Sequence, residues 1–401
     1  MRISTSQIFQ SGSRGLLDGQ ASLYKIQNQL STGKRFLSAQ DDPVAAAQVV
    51  LVKQSLAVNT QYADNQSNAT SQLSLEEDKL KSIAESIEFV IEQVQNGSNS
   101  TYSDSERGFI AQSLQSQFNL LLGWANSSDA SGYYLFSGYQ GNTQPFQQQA
   151  DGTVNYVGDD GQRLLQIGPS QQISVSDSGR NIFVNNRTGN GTFTLSPWIS
   201  NTGTGVIGTG SVLDPAAWTG DNYQIAFTSA TNYTITDMTT GTLVGNYAYS
   251  SGSSITGIPG ASFSISGTPD AGDAFTVAPS TNQSVFDTLQ SLISAFSTTT
   301  SGNAAALAAL KNKINEGTAN LNAVLENVLG VQASVGSRMN EVSSLASASE
   351  ALDTHYQEQL SNLQDVDYVE AISAFTQQKM QLEAAQSSFA KISGLSLFNY
   401  L

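Results

Sequence analysis

Cysteine is absent from all 401 residues, which excludes disulfides and thiolate metal sites. Histidine occurs once, as His355, so no second imidazole exists to share a metal ion or complete a proton relay. No cofactor, metal or catalytic residue is predicted. No apolar stretch approaches the roughly 18 residues that a membrane span requires, and membrane insertion is not expected. The first 20 residues hold no apolar run longer than two, at Ile8-Phe9 and Leu16-Leu17, so a cleaved secretory signal is not predicted either. The net charge is -16, and beyond residue 40 no basic patch appears. Nucleic-acid binding is excluded on that ground, because neutralising phosphates needs clustered Lys and Arg.

A further absence divides the chain. Between residues 133 and 283 there is neither Lys nor Glu, although the chain holds nine and thirteen of them, and seven of its eight prolines lie in that stretch. Lys and Glu favour helices and Pro breaks them, so the flanks read as helical and the middle as strands and turns. The predicted fold class is α+β: a long antiparallel α-helical rod made by the N- and C-terminal segments, with an inserted mainly-β domain. The expected divisions are a terminal helical pair (1–42 and 365–401), a helical rod (43–140 and 284–364) and a β insert (141–283).

What the ends do contain is a matching repeat of seven. Phe9, Leu16, Leu23, Leu30 and Leu37 fall at strict sevens, and so do Tyr368, Phe375, Leu382 and Phe389. Such spacing keeps one narrow stripe facing a partner helix, so each end reads as half of an inter-helix seam. Residues 1–40 carry five basic residues against Asp18, while 365–401 carry four acidic against two basic. Opposite signs favour their meeting, although exposed pairs contribute only about 0–1 kcal/mol each. Gly12, Gly19 and Gly33, with Ile26 completing the series, also recur at sevens, three positions after the leucine stripe. Each helical glycine costs about 0.8–1 kcal/mol against alanine, so the end is expected to be open in the free chain and ordered on packing.

Asp42 before Pro43 predicts an N-cap followed by proline at the first helical position. The helix that starts there carries Leu73, Leu80, Ile87 and Val94 at sevens, with Ile83 and Val90 in a second stripe, as far as Asn96-Gly97. From 43 to about 95 it would be roughly 78 Å long. Ser103 and Glu106 predict a capping box for the next helix, which bears Ile110, Leu114, Phe118 and Leu121. Beyond the insert, Leu321, Val328, Val335 and Val342 continue a helical stripe through Tyr356 and Leu363, interrupted at Gln332, Ser349 and Asp353. The register slips at Asp365-Val366-Asp367, which marks a joint. In the insert, Tyr223 to Phe227 and Tyr233 to Ile235 read as a hairpin, and Asn181–Asn186, Phe263–Ser266 and Ala274–Val277 as further strands.

Two motifs resolve to structural readings. Gly203-Thr-Gly205-Val-Ile-Gly208 spells a dinucleotide fingerprint, but Gly210 and Pro215 follow where a helix would be needed, so it reads as a loop. Asp159-Asp160-Gly161 reads as a tight turn, and the nine Asp of the insert show no pattern that selects a catalytic pair.

Leu30-Ser-Thr-Gly-Lys-Arg-Phe-Leu-Ser-Ala-Gln-Asp-Asp-Pro43, Arg338-Met-Asn and Asp365-Val-Asp-Tyr-Val-Glu370 resemble the bacterial flagellin superfamily. Tyr134-Leu-Phe-Ser-Gly138 and the closing Leu395-Ser-Leu-Phe-Asn-Tyr-Leu401 look more like its hook-associated members than like flagellin itself. The resemblance implies a non-enzymatic subunit of the flagellum, exported unfolded and self-associating in a ring or helical lattice. Its implied partners are hook-associated protein 1, flagellin and a flagellar export chaperone. The assembly interface would comprise Phe9, Leu16, Leu23, Leu30, Tyr368, Phe375, Leu382, Phe389, Leu395 and Phe398. A filament-forming flagellin, or a glycan-binding or adhesive β domain carried on a helical rod, stand as alternatives.

Overall fold

The structure is a computed structural model that describes residues 5–394; Leu395 and Phe398 of the expected interface lie outside the described residues. Its helices are α1 (Thr5–Thr32), α2 (Pro43–Gly97), α3 (Asp104–Ala125), α4 (Val285–Phe296), α5 (Ala304–Gln364) and α6 (Tyr368–Gly394). Between α3 and α4 lie the strands: β1 (Phe146–Gln148), β2 (Val154–Tyr156), β3 (Leu164–Gln166), β4 (Gln172–Ser174), β5 (Asn186–Arg187), β6 (Phe193–Pro197), β7 (Val206–Ile207) and β8 (Ser211–Val212). They continue with β9 (Tyr223–Ser229), β10 (Asn232–Asp237), β11 (Thr242–Ala248), β12 (Ser254–Ile255), β13 (Ala261–Ser266), β14 (Ala274–Pro279) and β15 (Asn282–Gln283). The chain thus has helical N- and C-terminal segments around a central, mainly-β region of antiparallel sheets. No described helix is long and apolar enough to cross a membrane.

Contacts divide the chain into two compact units, Met1–Asp64 with Leu345–Leu401, and Asn65–Ser344. In the first, the helix ends are set by local chemistry. Asp42 caps α2 through Oδ1, which accepts the Ala45 N–H at 3.0 Å, and Pro43 occupies the position where no amide is needed. Asp367 caps α6 in the same way, accepting from Val369 at 2.8 Å and Glu370 at 3.2 Å. Ser349, which interrupts the apolar stripe of α5, is buried, and its carbonyl accepts the amide of buried Asn59 at 2.8 Å. A polar pair across two helices thus replaces one apolar layer.

In the second unit the expected stripes are the core. Leu73, Leu80, Ile83, Ile87, Val90 and Val94 are fully buried, as are Leu321, Val328, Val335 and Val342. The capping box forms as expected, Ser103 Oγ accepting from Glu106 N and Glu106 Oε2 from Ser103 N. The β core lies between a five-stranded sheet of order β11-β10-β9-β14-β6 and a smaller one of order β12-β13-β7. Ile225, Phe227, Ile235 and Phe275 of the first sheet meet Ile207, Phe263 and Ile265 of the second. The expected hairpin is β9-β10, and the stretches at 263–266 and 274–277 fall within β13 and β14.

The strand expected over Asn181–Asn186 does not form. Arg180–Val184 make one π-helical turn instead, and strand begins only at Asn186. Ile182 and Phe183 are adjacent and both buried, which a strand of period two cannot achieve on one face. Phe183 packs edge-on against Phe136 and Phe146, at 5.6 and 5.1 Å between ring centroids.

Asparagines on α5 hold the insert to the helices. Asn312 accepts from Ile207 N at 2.7 Å and donates to Gly205 O at 3.0 Å, and Asn315 donates to Ile207 O at 2.8 Å. Asn320 accepts from Gly189 N at 2.8 Å, and Asn327 donates to Asn186 Oδ1 at 2.9 Å. The amides of Asn312, Asn315 and Asn320 satisfy backbone groups of short strands and turns, and that of Asn327 pairs with another side-chain amide.

Candidate functional site

The site the sequence points to is the seam between α1 and α6, which lie in one compact unit. Phe9 and Phe389 meet with ring centroids 5.0 Å apart. The glycine series explains how the helices approach. A Cβ added at Gly12 would lie 2.8 Å from Phe389 Cδ2, one at Gly19 would lie 3.3 Å from Leu382 Cδ1, and one at Gly33 would lie 3.1 Å from Tyr368 Oη. Phe389 and Leu382 of the C-terminal stripe therefore seat on Gly12 and Gly19 of α1, as knobs enter holes in a coiled coil, and Tyr368 seats on Gly33 just past its end. The residue numbers of each pair sum to the same value, so the antiparallel register is kept along the seam, and it places Ile26 opposite Phe375. Leu16, Leu23, Leu30, Phe375, Leu382 and Phe389 are half-buried, whereas Phe9 and Tyr368 remain more exposed.

Where open ends are expected in the free chain, the structure has α1 as a helix packed on α6 within one chain. The helical cost of Gly12 and Gly19 is offset by the close seating that their missing side chains permit. The expected role of opposite charges also changes. Among the described residues no ion pair joins α1 to α6. Lys25 pairs with Asp41 at 2.9 Å and Arg35 with Asp42 at 3.3 Å, both within the N-terminal segment.

Those pairs belong to the joint that ends the seam. Gly33 adopts φ of +69°, the left-handed conformation that terminates α1, and its N–H returns to Gln29 O at 2.9 Å. Lys34 and Asp365 form an antiparallel bridge, Arg35 N donating to Gln364 O at 2.7 Å and Val366 N to Gly33 O at 2.9 Å. Asp41 Oδ2 accepts from Leu37 N at 3.2 Å and Ser38 N at 3.1 Å. The Lys25 ammonium first, then these two amides, hold its carboxyl down at about 2. The break between α1 and α2 is thus stitched to the break between α5 and α6.

A second set of apolar residues points away from the seam. Leu17 and Tyr24, seven apart on α1, are 63% and 66% exposed, and Val369, Ile372 and Met380 of α6 are also exposed. On α2, Val44, Leu51 and Val58 are exposed and again seven apart. They continue in register the series that begins at Phe9, a continuation the sequence reading passed over. Apolar residues left exposed at a repeat of seven have the spacing of a helix seam without an intrachain partner to fill it.

Residues 3–141 match the bacterial flagellin N-terminal helical region, and residues 318–401 match its C-terminal helical region. The chain belongs to the bacterial flagellin family. The stretch between the two matched regions of this flagellin-family chain holds all of the strands named above, together with α4. Over 401 residues, 99% of both chains, it is 28% identical to flagellar hook-associated protein 3 of Salmonella typhimurium and 29% identical to that of Escherichia coli. It also resembles the crystal structure of the flagellar junction protein FlgL from Legionella pneumophila, with a TM-score of 0.72 and 29% identity. That match covers 79% of this chain and all of the other.

The remaining motifs of this flagellin-family chain take structural places. His355 lies exposed on α5. Gly203 sits where an added Cβ would lie 2.4 Å from Asp270 N, in a loop closed by Asp273. Asp159 Oδ1 accepts from Tyr139 N and Gly161 N at 2.9 and 2.8 Å, which makes the expected turn. Among the described residues no group of three or more His, Cys, Asp or Glu could hold a metal ion.

Proposed function

We propose that this chain is a structural subunit of the bacterial flagellum that joins the hook region to the filament, working through its paired terminal helices. The observation that carries the reading is the end-to-end likeness to hook-associated protein 3, at 28–29% identity over 99% of both chains. Likeness confined to the helical ends would have supported the flagellin family alone.

The division of labour on the helices supports the same reading. Phe389, Leu382 and Tyr368 are occupied within the chain, so they set the shape of the terminal pair. Leu17, Tyr24, Val369, Ile372 and Met380, with Val44, Leu51 and Val58, are free to meet neighbours. Copies of this chain meet through those residues in a ring or helical lattice, with hook-associated protein 1 on one side and flagellin on the other. The role is mechanical rather than catalytic. The chain leaves the cell through the flagellar export apparatus, escorted by an export chaperone, and works outside it.

Immunogold labelling of intact flagella tests the proposal. A single band beside the hook is expected. Label distributed along the filament would assign the chain to the filament itself and overturn the junction role.

A further inference from the structure

The outer face of the five-stranded sheet is neutral, in a chain whose net charge is -16. Ile225, Phe227, Ile235 and Phe275 point into the β core, so the residues that alternate with them point outward. Asp237 is the one charged residue on β6, β9, β10, β11 and β14, and it is buried, accepting from Thr239 and Thr240. The outward side chains are mostly hydroxyls, amides and alanines.

Strand pairing sets these side chains in two rows that cross the sheet. In the first, Ser196, Thr276, Gln224 and Thr236 are successive partners on β6, β14, β9 and β10, and the row ends at Leu243 of the edge strand β11. Four strand spacings of about 4.8 Å make it roughly 19 Å long. Among the described residues the side chains of Ser196, Gln224 and Thr236 make no hydrogen bond, so their donors and acceptors are open. In the second row Ala274 and Ala226 are partners, and Trp198 continues β6 beside them, its N–H donating to Ala274 O at 2.9 Å. Trp198 Nε1 donates to Thr276 Oγ1 at 3.1 Å, which ties the indole to β14 while it stays 49% exposed. Trp218, by contrast, packs on Phe193 of the core, with ring centroids 5.3 Å apart.

An aromatic plane and two alanines beside a line of hydroxyl and amide groups match the two sides of a sugar ring, which carries C–H groups on its face and hydroxyls around its edge. A protein partner calls for the reverse layout, an apolar centre inside a polar rim. Here the large apolar side chains, Trp198 and Leu243, stand at the two ends, and the middle is polar or small.

We propose that this face binds a neutral polysaccharide. Trp198 stacks on one sugar ring, and Ser196, Thr276, Gln224 and Thr236 hydrogen-bond the hydroxyls of that ring and its neighbours along the row. The site stands apart from the junction role, since it uses none of the terminal helices.

Affinity electrophoresis of the full chain tests the proposal, in native gels that contain laminarin, dextran, galactomannan or xylan. At least one of these neutral polymers is expected to retard the wild type, and Trp198→Ala should weaken that retardation about ten-fold or more. Gln224→Ala should weaken it as well, and carries the test should Trp198→Ala fail to fold. No retardation by any of the polymers, or equal retardation of the wild type and the folded variants, would overturn the site. Self-association that Trp198→Ala abolishes, without retardation by a polysaccharide, would make the face a contact between copies and overturn it too.

Discussion

Phe389 occupies the space that a side chain at position 12 would need: a Cβ on Gly12 would lie 2.8 Å from its Cδ2. That relation joins residues nearly a whole chain apart in sequence. It also makes the glycines of α1 individually predictable, because their surroundings differ while their helical cost does not.

Gly15 has nothing within 4 Å of an added Cβ. Gly15→Ala should therefore stabilise the terminal unit by about 0.8–1 kcal/mol, the full helical preference of alanine. Gly12→Val should destabilise it, since the Phe389 ring must leave its seat. Thermal unfolding followed by circular dichroism at 222 nm checks both signs, and equal effects at the two positions would contradict the seating.

The joint should respond to acid. Asp41, held at about 2 beside Lys25, has its carboxyl below the ordinary 3.8, so its contribution is present above pH 3.8 and lost as pH falls through about 2. An acid titration of α1 helicity should show a loss in this window that Asp41→Asn lacks. Identical titrations of the two proteins would remove Asp41 from the account.

Asp273 closes the loop of the glycine-rich motif by accepting three backbone N–H groups. Asp273→Ala leaves those donors unpaired in a buried setting and should cost about 2–4 kcal/mol in urea unfolding of the β-containing unit. A loss below about 0.5 kcal/mol would mean that water replaces the carboxylate freely.

Seam and outward residues should separate by phenotype. Leu382→Asp with Phe389→Asp should abolish filament attachment and also expose α1 to exchange. Leu17→Asp with Tyr24→Asp should abolish attachment while leaving α1 protected, because those side chains are 63% and 66% exposed in the single chain. Normal motility in the second variant would show that this face meets no neighbour.

Much of the helical part was legible in the sequence because its signals are local and periodic. Pro43 after Asp42, the Ser103 and Glu106 box, and the buried Leu73 to Val94 stripe follow from spacing and capping alone. The glycine series could be seen at sevens, but not what fills it, since the partner lies at the other end of the chain. Asn312, Asn315, Asn320 and Asn327 carried no signal, because an asparagine on a helix reads as surface until the strand it serves is placed. Arg180–Val184 misled for a related reason: the aromatic cluster that draws Phe183 inward is assembled from distant segments. Likewise, the exposed continuation at Val44, Leu51 and Val58 has the spacing of a seam, and only burial separates it from one.

The central claim is that the terminal helices close on each other within one chain through glycine seats. Hydrogen exchange of α1 in the purified monomer, for the wild type, Gly12→Val, Phe389→Ala and the double variant, tests it most directly. The account predicts a protected α1 in the wild type, loss of protection in each single variant, and a double variant no worse than Phe389→Ala. An α1 that exchanges at the random-coil rate in the wild type, or additive losses in the double variant, would contradict it.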